Sequence, residues 1–433
     1  MTRCLVLADD LTGSCDAGHE FATRDYDTRV VVGPERATPA GGDVVVSNTD
    51  SRYVDPALAA ERVRAVLDAH DPAVVYKKVD STLRGNVRAE VEAATRAIDP
   101  ALVLVAPAFP GNGRLTASGY HLVDGRLVTE SPPGDDGERP PTHDALPELF
   151  AESPYPVEAV GVETVAHGTD AVRDTLEPLA GADGPVVVTC DAVTDRHLEA
   201  LAAAAEALPE RCLYVGSGGL ARHITVPGAP SGAGIDVDRD RTVVGVSGSV
   251  APETLAQLEV IPAALRRQLA VADAVTDPAG AGADLAARGR AALDDHGTVL
   301  LSSAERRADV DRAMAAGEHA AVDGAAVRRR VAEALAAAAA GVVDEGRAPN
   351  LFLTGGATAR TVFEELDAKR LRMAGEGIAP GVPLATVEGG VADGTAVVTK
   401  AGGFGGEQAI IKSLARLGQA DERSKHHRRR HHG

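Results

Sequence analysis

Short apolar runs recur along the chain, each ending in a polar or glycine-rich turn and followed by residues with helical spacing. Runs at 3–8, 29–32, 43–47, 73–76 and 101–106 read as buried strands. Stretches 15–23, 56–70 and 87–98 read as the helices between them. Strand, polar loop and helix repeated in this way predict a parallel sheet with its loops along one edge. The pattern resumes with strands at 157–162, 185–189 and 213–216 and helices at 171–179 and 196–208. Between the two stretches, 131–147 is rich in Pro, Gly and Asp and reads as a long loop or lid.

A second series has strands at 242–246, 298–302, 351–353 and 396–399 and helices at 253–260, 325–340 and 359–366. Separating the two series, 227–241 is poor in large apolar residues and reads as a linker. The expected organisation is therefore α/β: two α/β domains, 1–226 and 242–418, with mainly parallel sheets. The Arg/His-rich tail, 419–433, is expected to be disordered.

Four polar clusters fall at predicted strand ends of the first series: Asp9-Asp10, Asp50/Arg52, Lys77 to Asn86, and Asn112/Arg114. Ends of this kind are where open α/β sheets bind ligands. Residues Lys77-Lys78-Val79-Asp80-Ser81-Thr82-Leu83-Arg84-Gly85-Asn86 combine cations, a carboxylate, hydroxyls and an amide, which suits a small polyhydroxylated anion. An arginine can grip a carboxylate with two parallel hydrogen bonds, and an aspartate can orient or deprotonate a hydroxyl. A helix cap accounts for one of Asp9 and Asp10 but not for both.

In the second series, Gly355-Gly356-Ala357-Thr358 and Gly402-Gly403-Phe404-Gly405-Gly406 each follow a strand and precede a helix. Glycine there lets backbone amides approach phosphate, and the helix N-terminus adds positive potential. Ser249 and Thr358 add hydroxyl donors. Neither a GxxxxGK[ST] nor a GxGxxG pattern occurs, so the reading is nucleotide binding outside those two motifs.

Composition narrows the partners. The formal charge is −19, from 63 acidic against 44 basic residues. Such a field disfavours nucleic acid, whose binding rests on neutralising phosphates, and matches proteins of a salt-rich cytosol. Only six lysines occur, and Lys77, Lys78 and Lys400 stand at these clusters. Cys4, Cys15, Cys190 and Cys212 form no metal-ligand spacing and read as buried apolar residues of a reducing compartment. No apolar run approaches membrane-spanning length and no signal pattern opens the chain, so a cytoplasmic protein without membrane partners is expected.

Taken together, the motifs resemble the four-carbon acid sugar kinase family. The likeness is carried by Ala8-Asp9-Asp10-Leu11-Thr12-Gly13 with Asp16 and Gly18, by Lys78 to Gly85, and by Pro107 to Pro110 with Gly113-Arg114. It continues through Gly216-Ser217, Ser247-Gly248-Ser249, Thr354 to Thr358, Pro380 to Pro383 and Lys400 to Gly405. The resemblance implies an acid-sugar domain and an ATP domain facing each other across a cleft. It also implies transfer from ATP, with Mg²⁺, to the terminal hydroxyl of threonate, erythronate or 3-oxo-tetronate. A homodimer is one expected assembly.

Carried over by position, Asp9, Asp10, Arg52, Lys78, Asp80, Ser81, Thr82, Arg84 and Arg114 are expected at the sugar acid. Of these, Asp10, Lys78, Asp80 and Arg84 are expected to act in catalysis. Ser249, Gly355, Gly356, Ala357, Thr358, Lys400, Gly402 and Gly403 are expected at the nucleotide. Arg84 and Arg52 would hold the carboxylate and Ser81 and Thr82 the hydroxyls, with Asp10, Asp9 or Asp80 toward the attacking hydroxyl. Lys400 or Lys78 would compensate charge on the transferred group. Two positions depart from the family pattern: Ala401-Gly402-Gly403 stands where members have Ser-Gly-Asn, and Ala251 where a serine is common. Rival readings are an ATP-independent isomerase or dehydratase using Asp9 and Asp10, and a sensor that binds both ligands without turnover.

Overall fold

The computed structural model describes residues 2–34, 41–232, 234–343 and 348–418. The tail expected to be disordered lies outside them. The chain divides into two compact units, Met1–Gly232 and Ala233–Gly433. Residues 227–232 and 234–242 hold no helix or strand.

In the first unit the strands are β1 (Cys4–Ala8), β2 (Thr28–Val31), β3 (Val44–Asn48), β4 (Val74–Lys78) and β5 (Leu102–Ala106). A small antiparallel meander follows, β6 (Arg114–Ala117), β7 (Tyr120–Val123) and β8 (Arg126–Leu127), and then β9 (Val157–Val160), β10 (Val186–Cys190) and β11 (Cys212–Gly216). Outside the meander the order is β2-β3-β1-β4-β11-β5-β10-β9, parallel throughout. These strands are Val- and Leu-rich because helices cover both faces. Leu5, Leu7, Val45, Val75, Val103 and Val215 form the centre of the core. Chain order reverses direction between β1 and β4, and a parallel sheet opens a crevice at the strand ends there.

The second unit has β12 (Val243–Ser247), β13 (Arg266–Gln268), β14 (Thr298–Ser302), β15 (Asn350–Thr354), β16 (Arg370–Ala379), β17 (Val382–Glu388) and β18 (Ala396–Lys400). Their order is β13-β14-β12-β15-β18-β17-β16, with β17 antiparallel to both neighbours. Phe352, Val398, Leu384 and Leu414 pack its core.

Helix Val87–Ile98 and strand Thr298–Ser302 lie where the pattern predicts them. The first helix differs: it spans Leu11–Ala22, four residues ahead of the expected start at Cys15. Asp10 caps it by accepting from Gly13 N, which draws the polar Thr12-Gly13-Ser14 into the first turn. Helix Gly356–Glu365 likewise begins ahead of the expected 359. Lysines 77 and 78 belong to β4 itself, not to the loop after it. The meander, the β16–β17 hairpin, strand β13 and the helices Val271–Thr276, Pro278–His296 and Arg307–His319 lay outside the expected pattern. Cys4, Cys15 and Cys190 are buried, and the four cysteines form no disulfide among the described residues. Among the described residues no helix is long and apolar enough to cross a membrane.

Candidate functional site

Three adjacent strands deliver the first cluster. Ala8 of β1 pairs with Asn48 of β3 on one side and Lys78 of β4 on the other. The residues just beyond these ends therefore meet at one level: Asp9 and Asp10, Arg52, and Lys78 with Asp80. Arg52 donates from Nε to Asp9 Oδ2 (2.7 Å) and from Nη2 to Asp9 Oδ1 (3.1 Å) and Asp10 Oδ1 (2.8 Å). Asp80 Oδ1 stands 3.8 Å from the same Nη2. Arg52 Nη1 has no hydrogen-bond partner among the described residues, which leaves one edge of the guanidinium for a ligand.

Arg84 donates from Nε to Asp80 Oδ2 (2.6 Å), and Thr82 Oγ1 donates to the same oxygen. The Arg84 side chain stays 27% exposed, the most open of the cluster's cations, and so the best placed to meet a solute. Lys78 Nζ gives one hydrogen bond, to Val79 O (2.9 Å), and retains two donors. Three cations thus stand against three carboxylates, Asp9, Asp10 and Asp80.

Burial alone raises the carboxyls of Asp80 and Asp9. For Asp80 the charges of Arg84 and Arg52 outweigh that and hold it well below the usual carboxylate range. Arg52, with Lys77 and Lys78, lowers Asp9 against its own burial. Burial opposes the charge on Arg52, but Asp10, Asp9 and Asp80 more than restore it. Asp16, one turn beyond Gly13 on the same helix, is different: burial pushes it up to about 6 despite Lys78.

The Asp80–Asn86 turn is held from three sides. Leu83 takes a left-handed φ of 58°, which costs roughly 1 kcal/mol, and is fixed there by packing on Val123, Val128 and Leu146. His121, fully buried on β7, bonds Ser81 O through Nε2 (2.9 Å) and Thr116 Oγ1 through Nδ1 (3.0 Å). Burial pushes this imidazole down to about 4, so it is neutral and serves as a strut. Asn86 donates to Ser51 O (2.8 Å) and Val54 O (2.9 Å), joining this turn to the Arg52 loop.

The 131–147 stretch docks on the same turn. Tyr53 Oη donates to Asp136 Oδ2 (2.9 Å), Arg84 Nη1 lies 3.6 Å from Asp136 Oδ2, and Gly85 N donates to Arg139 O (3.1 Å).

Two further cations of these polar segments are held by other partners. Arg114 sits in β6 with its guanidinium on Asn112 O and 3.8 Å from Asp124 Oδ1, and its charge reaches His121 beneath Ser81. Lys77 points to the opposite sheet face from Lys78, as alternation requires. It is fully buried in an ion pair with Glu90 (2.7 Å) that ties helix Val87–Ile98 to the sheet. Sequence reasoning missed His121, Asn86's bridging contacts, Tyr53 and Asp136; all act through contacts distant in the chain.

The second cluster is built by the same logic. Ser247 of β12 pairs with Thr354 of β15, and Thr354 with Lys400 of β18. The turns after all three strands therefore lie side by side. A Cβ on Gly248 would strike the Thr358 hydroxyl, one on Gly355 would press on Ser249 N, and one on Gly402 would meet Ser249 Oγ. Helices Gly356–Glu365 and Pro252–Glu259 both begin here, and neither N-cap residue, Gly355 or Ala251, supplies a side-chain cap. Their first-turn amides remain available, as an anion site needs.

Lys400 departs from expectation. Its ammonium is fully buried and turned inward onto Thr254 Oγ1 (3.0 Å) and the carbonyls of Ala401 (3.0 Å), Gly402 (2.9 Å) and Phe404 (3.2 Å), so it is not presented to a phosphate. Among the described residues no group of three or more His, Cys, Asp or Glu is arranged to hold a metal ion.

A site of cations and carboxylates in one unit, and glycine turns at bare helix N-termini in the other, agrees with the domain families that match. A sugar-binding N-terminal domain covers residues 4–224, and a nucleotide-binding C-terminal domain covers 244–410. The chain is 32% identical to the D-threonate kinase of Salmonella typhimurium over 422 residues, 95% of this chain and 97% of that one. It is 30% identical to the D-erythronate kinase of Heliobacterium modesticaldum, covering 89% of each. A solved structure from Salmonella typhimurium shares the fold with a TM-score of 0.79 at 23% identity, covering 96% of this chain and all of that one. The chain belongs to the four-carbon acid sugar kinase family. It is a kinase, and its C-terminal domain is of the nucleotide-binding family.

Proposed function

We propose that this kinase phosphorylates the terminal, C4, hydroxyl of a four-carbon sugar acid: threonate, erythronate or 3-oxo-tetronate. The observation that supports it most is the charge-balanced cluster at the ends of β3, β1 and β4. Its cations keep free donors on Arg52 Nη1, Arg84 and Lys78, enough to hold one small carboxylate and its hydroxyls. Ser81 forms no side-chain hydrogen bond among the described residues and is the free hydroxyl there, whereas Thr82 is spent on Asp80. The docked 131–147 stretch bears on substrate choice through Asp136 and Tyr53.

In the reaction an O–P bond forms to the C4 oxygen, whose proton passes to Asp10 or to solvent, the bond from the γ-phosphorus to the bridging oxygen breaks, and ADP leaves. Such a transfer needs positioning and charge compensation more than strong base catalysis. Asp10 suits the orienting role. Its oxygens already accept from Gly13 N, Thr12 and Arg52, so its carboxylate is fixed in direction. Bare amides of Gly356, Ala357 and Thr358 suit the triphosphate. Mg²⁺ would take most of its ligands from phosphate oxygens and water and would neutralise charge on the leaving group.

The test is ADP release, assayed in high salt over D- and L-threonate, D-erythronate and 3-oxo-tetronate. ADP is expected to form only when one of these acids is present. Product formed without ATP would favour the isomerase reading, and binding of both ligands without ADP would favour the sensor.

A sharper check concerns Asp10. Asparagine also caps helices well, so Asp10→Asn keeps helix Leu11–Ala22 and removes only the charge. We expect kcat to fall by about 10²-fold, the scale of a lost proton acceptor or orienting charge. Full turnover with an unchanged KM would remove Asp10 from the mechanism.

A further inference from the structure

The Lys400 ammonium has three hydrogens and four acceptors within reach, three of them carbonyls of the glycine segment that follows it. Gln257, one turn along helix Pro252–Glu259 from Thr254, continues the same work. Its Nε2 donates to the carbonyls of Phe404 (3.2 Å), Gly405 (2.9 Å) and Gly406 (3.1 Å). Thr254 donates to Gly402 O (2.7 Å). Five of the six carbonyls from Ala401 to Gly406, all but that of Gly403, are thereby drawn to one side.

A trans peptide is planar, so its N–H points opposite to its C=O. Drawing in those carbonyls turns the amides of Gly402, Gly403, Gly405, Gly406 and Glu407 the other way. Among the described residues none of these five N–H groups donates a hydrogen bond. Gly403 and Gly406 are exposed, and a Cβ on Gly406 would meet nothing within 4 Å. Free amides arrayed on one face of a turn are what binds a phosphate.

We infer that Lys400 is a positioning residue for the nucleotide. It touches no phosphate, but gathers the loop's carbonyls, together with Gln257, so that the opposite edge presents amides to the triphosphate of ATP. This inference rests on the proposed nucleotide site and says how that site is formed.

The ammonium's charge matters because three donors are needed and the carbonyl dipoles converge on it. Burial lowers Lys400 to about 8, with Glu253 on helix Pro252–Glu259 opposing the shift. Strand β15 brings no titratable group to it, and Glu407 of the loop is exposed. ATP binding should therefore weaken as pH rises through about 8. Stability moves the other way. The folded-state value lies below the ordinary lysine value, so the unfolded chain binds more protons between them, and this group's contribution to stability rises with pH in that window. Weaker ATP binding there cannot then be put down to this group's effect on folding.

The experiment is calorimetric titration with ATP at pH 7 and pH 9.5, on the wild type, Lys400→Met and Gln257→Ala, with D-threonate titrated in parallel. At pH 7 both variants should bind ATP at least tenfold more weakly than wild type, with sugar-acid binding within twofold. Wild type should lose severalfold in ATP affinity from pH 7 to 9.5, and Lys400→Met should show no such change. Equal ATP affinity in Lys400→Met, or a flat wild-type response, overturns the inference. If Lys400→Met does not fold, Gln257→Ala and the wild-type pH response still decide it. Failure of the wild type to bind ATP at all would instead strike the nucleotide site itself.

Discussion

Replacing Arg52 with methionine is expected to abolish measurable turnover and to destabilise the first unit by about 3–5 kcal/mol, the usual cost of breaking a buried ion pair from one side. The buried guanidinium is the hub of the first cluster: it bonds Asp9 twice and Asp10 once, and stands near Asp80. Methionine fills similar space but leaves Asp9, 3% exposed, without its two guanidinium hydrogen bonds. Lysine is not a remedy, because a point charge cannot serve two carboxylates in fork geometry. Calorimetry should show the unfolding midpoint falling by roughly 10 °C. The variant should also be less acid-sensitive. Asp9 and Asp80 are held below their ordinary values in the fold, so they add stability above the usual carboxylate range and lose it as pH falls. Removing Arg52 removes much of that contribution. Wild-type stability in Arg52→Met would mean that the Arg52 ion pairs contribute nothing net to the fold.

The second large effect is expected at Gly355. Its φ of 99° lies where L side chains rarely go, and a Cβ would sit 3.0 Å from Ser249 N and 3.2 Å from the Gly248 carbonyl carbon. Gly355 is also the N-cap of helix Gly356–Glu365. Valine there must push apart the turns after β12 and β15, on whose closeness the bare amides depend. A backbone forced from this geometry costs roughly 1–3 kcal/mol. Steady-state kinetics should show kcat/KM for ATP lower by about 10²-fold, equivalent to about 2.7 kcal/mol. The KM for the sugar acid should stay near its wild-type value. A uniform loss in both would point to general unfolding.

How much of this was legible in the chain depended on how local each cause is. Helix Val87–Ile98 shows its period in its own residues. The helix after Asp10 does not, because its first turn is polar and glycine-containing and exists through the Asp10 cap. The meander was readable and overlooked. Ser118-Gly119 and Asp124-Gly125 are two-residue hairpin turns with positive φ at both positions, and Asp-Gly is a strong signal of that turn. Composition marked Lys77, Lys78 and Lys400 as unusual but could not say which way each points. Alternation along β4 separates Lys77 from Lys78; the partner of Lys77, Glu90, emerges only when the helix packs on the sheet. The inward turn of Lys400 depends on Thr254 and Gln257, about 150 residues earlier. His121 reaches Ser81 across 40 residues. The polar clusters at strand ends were legible, and the struts that hold them were not.

The central claim is that one unit grips the sugar acid and the other grips ATP, each through its own strand-end turns. Titrating Gly355→Val with D-threonate and then with ATP tests it most directly. The account predicts wild-type affinity for the acid and ATP affinity weaker by about 10²-fold. Retained ATP affinity, or loss of the acid along with it, would contradict the account.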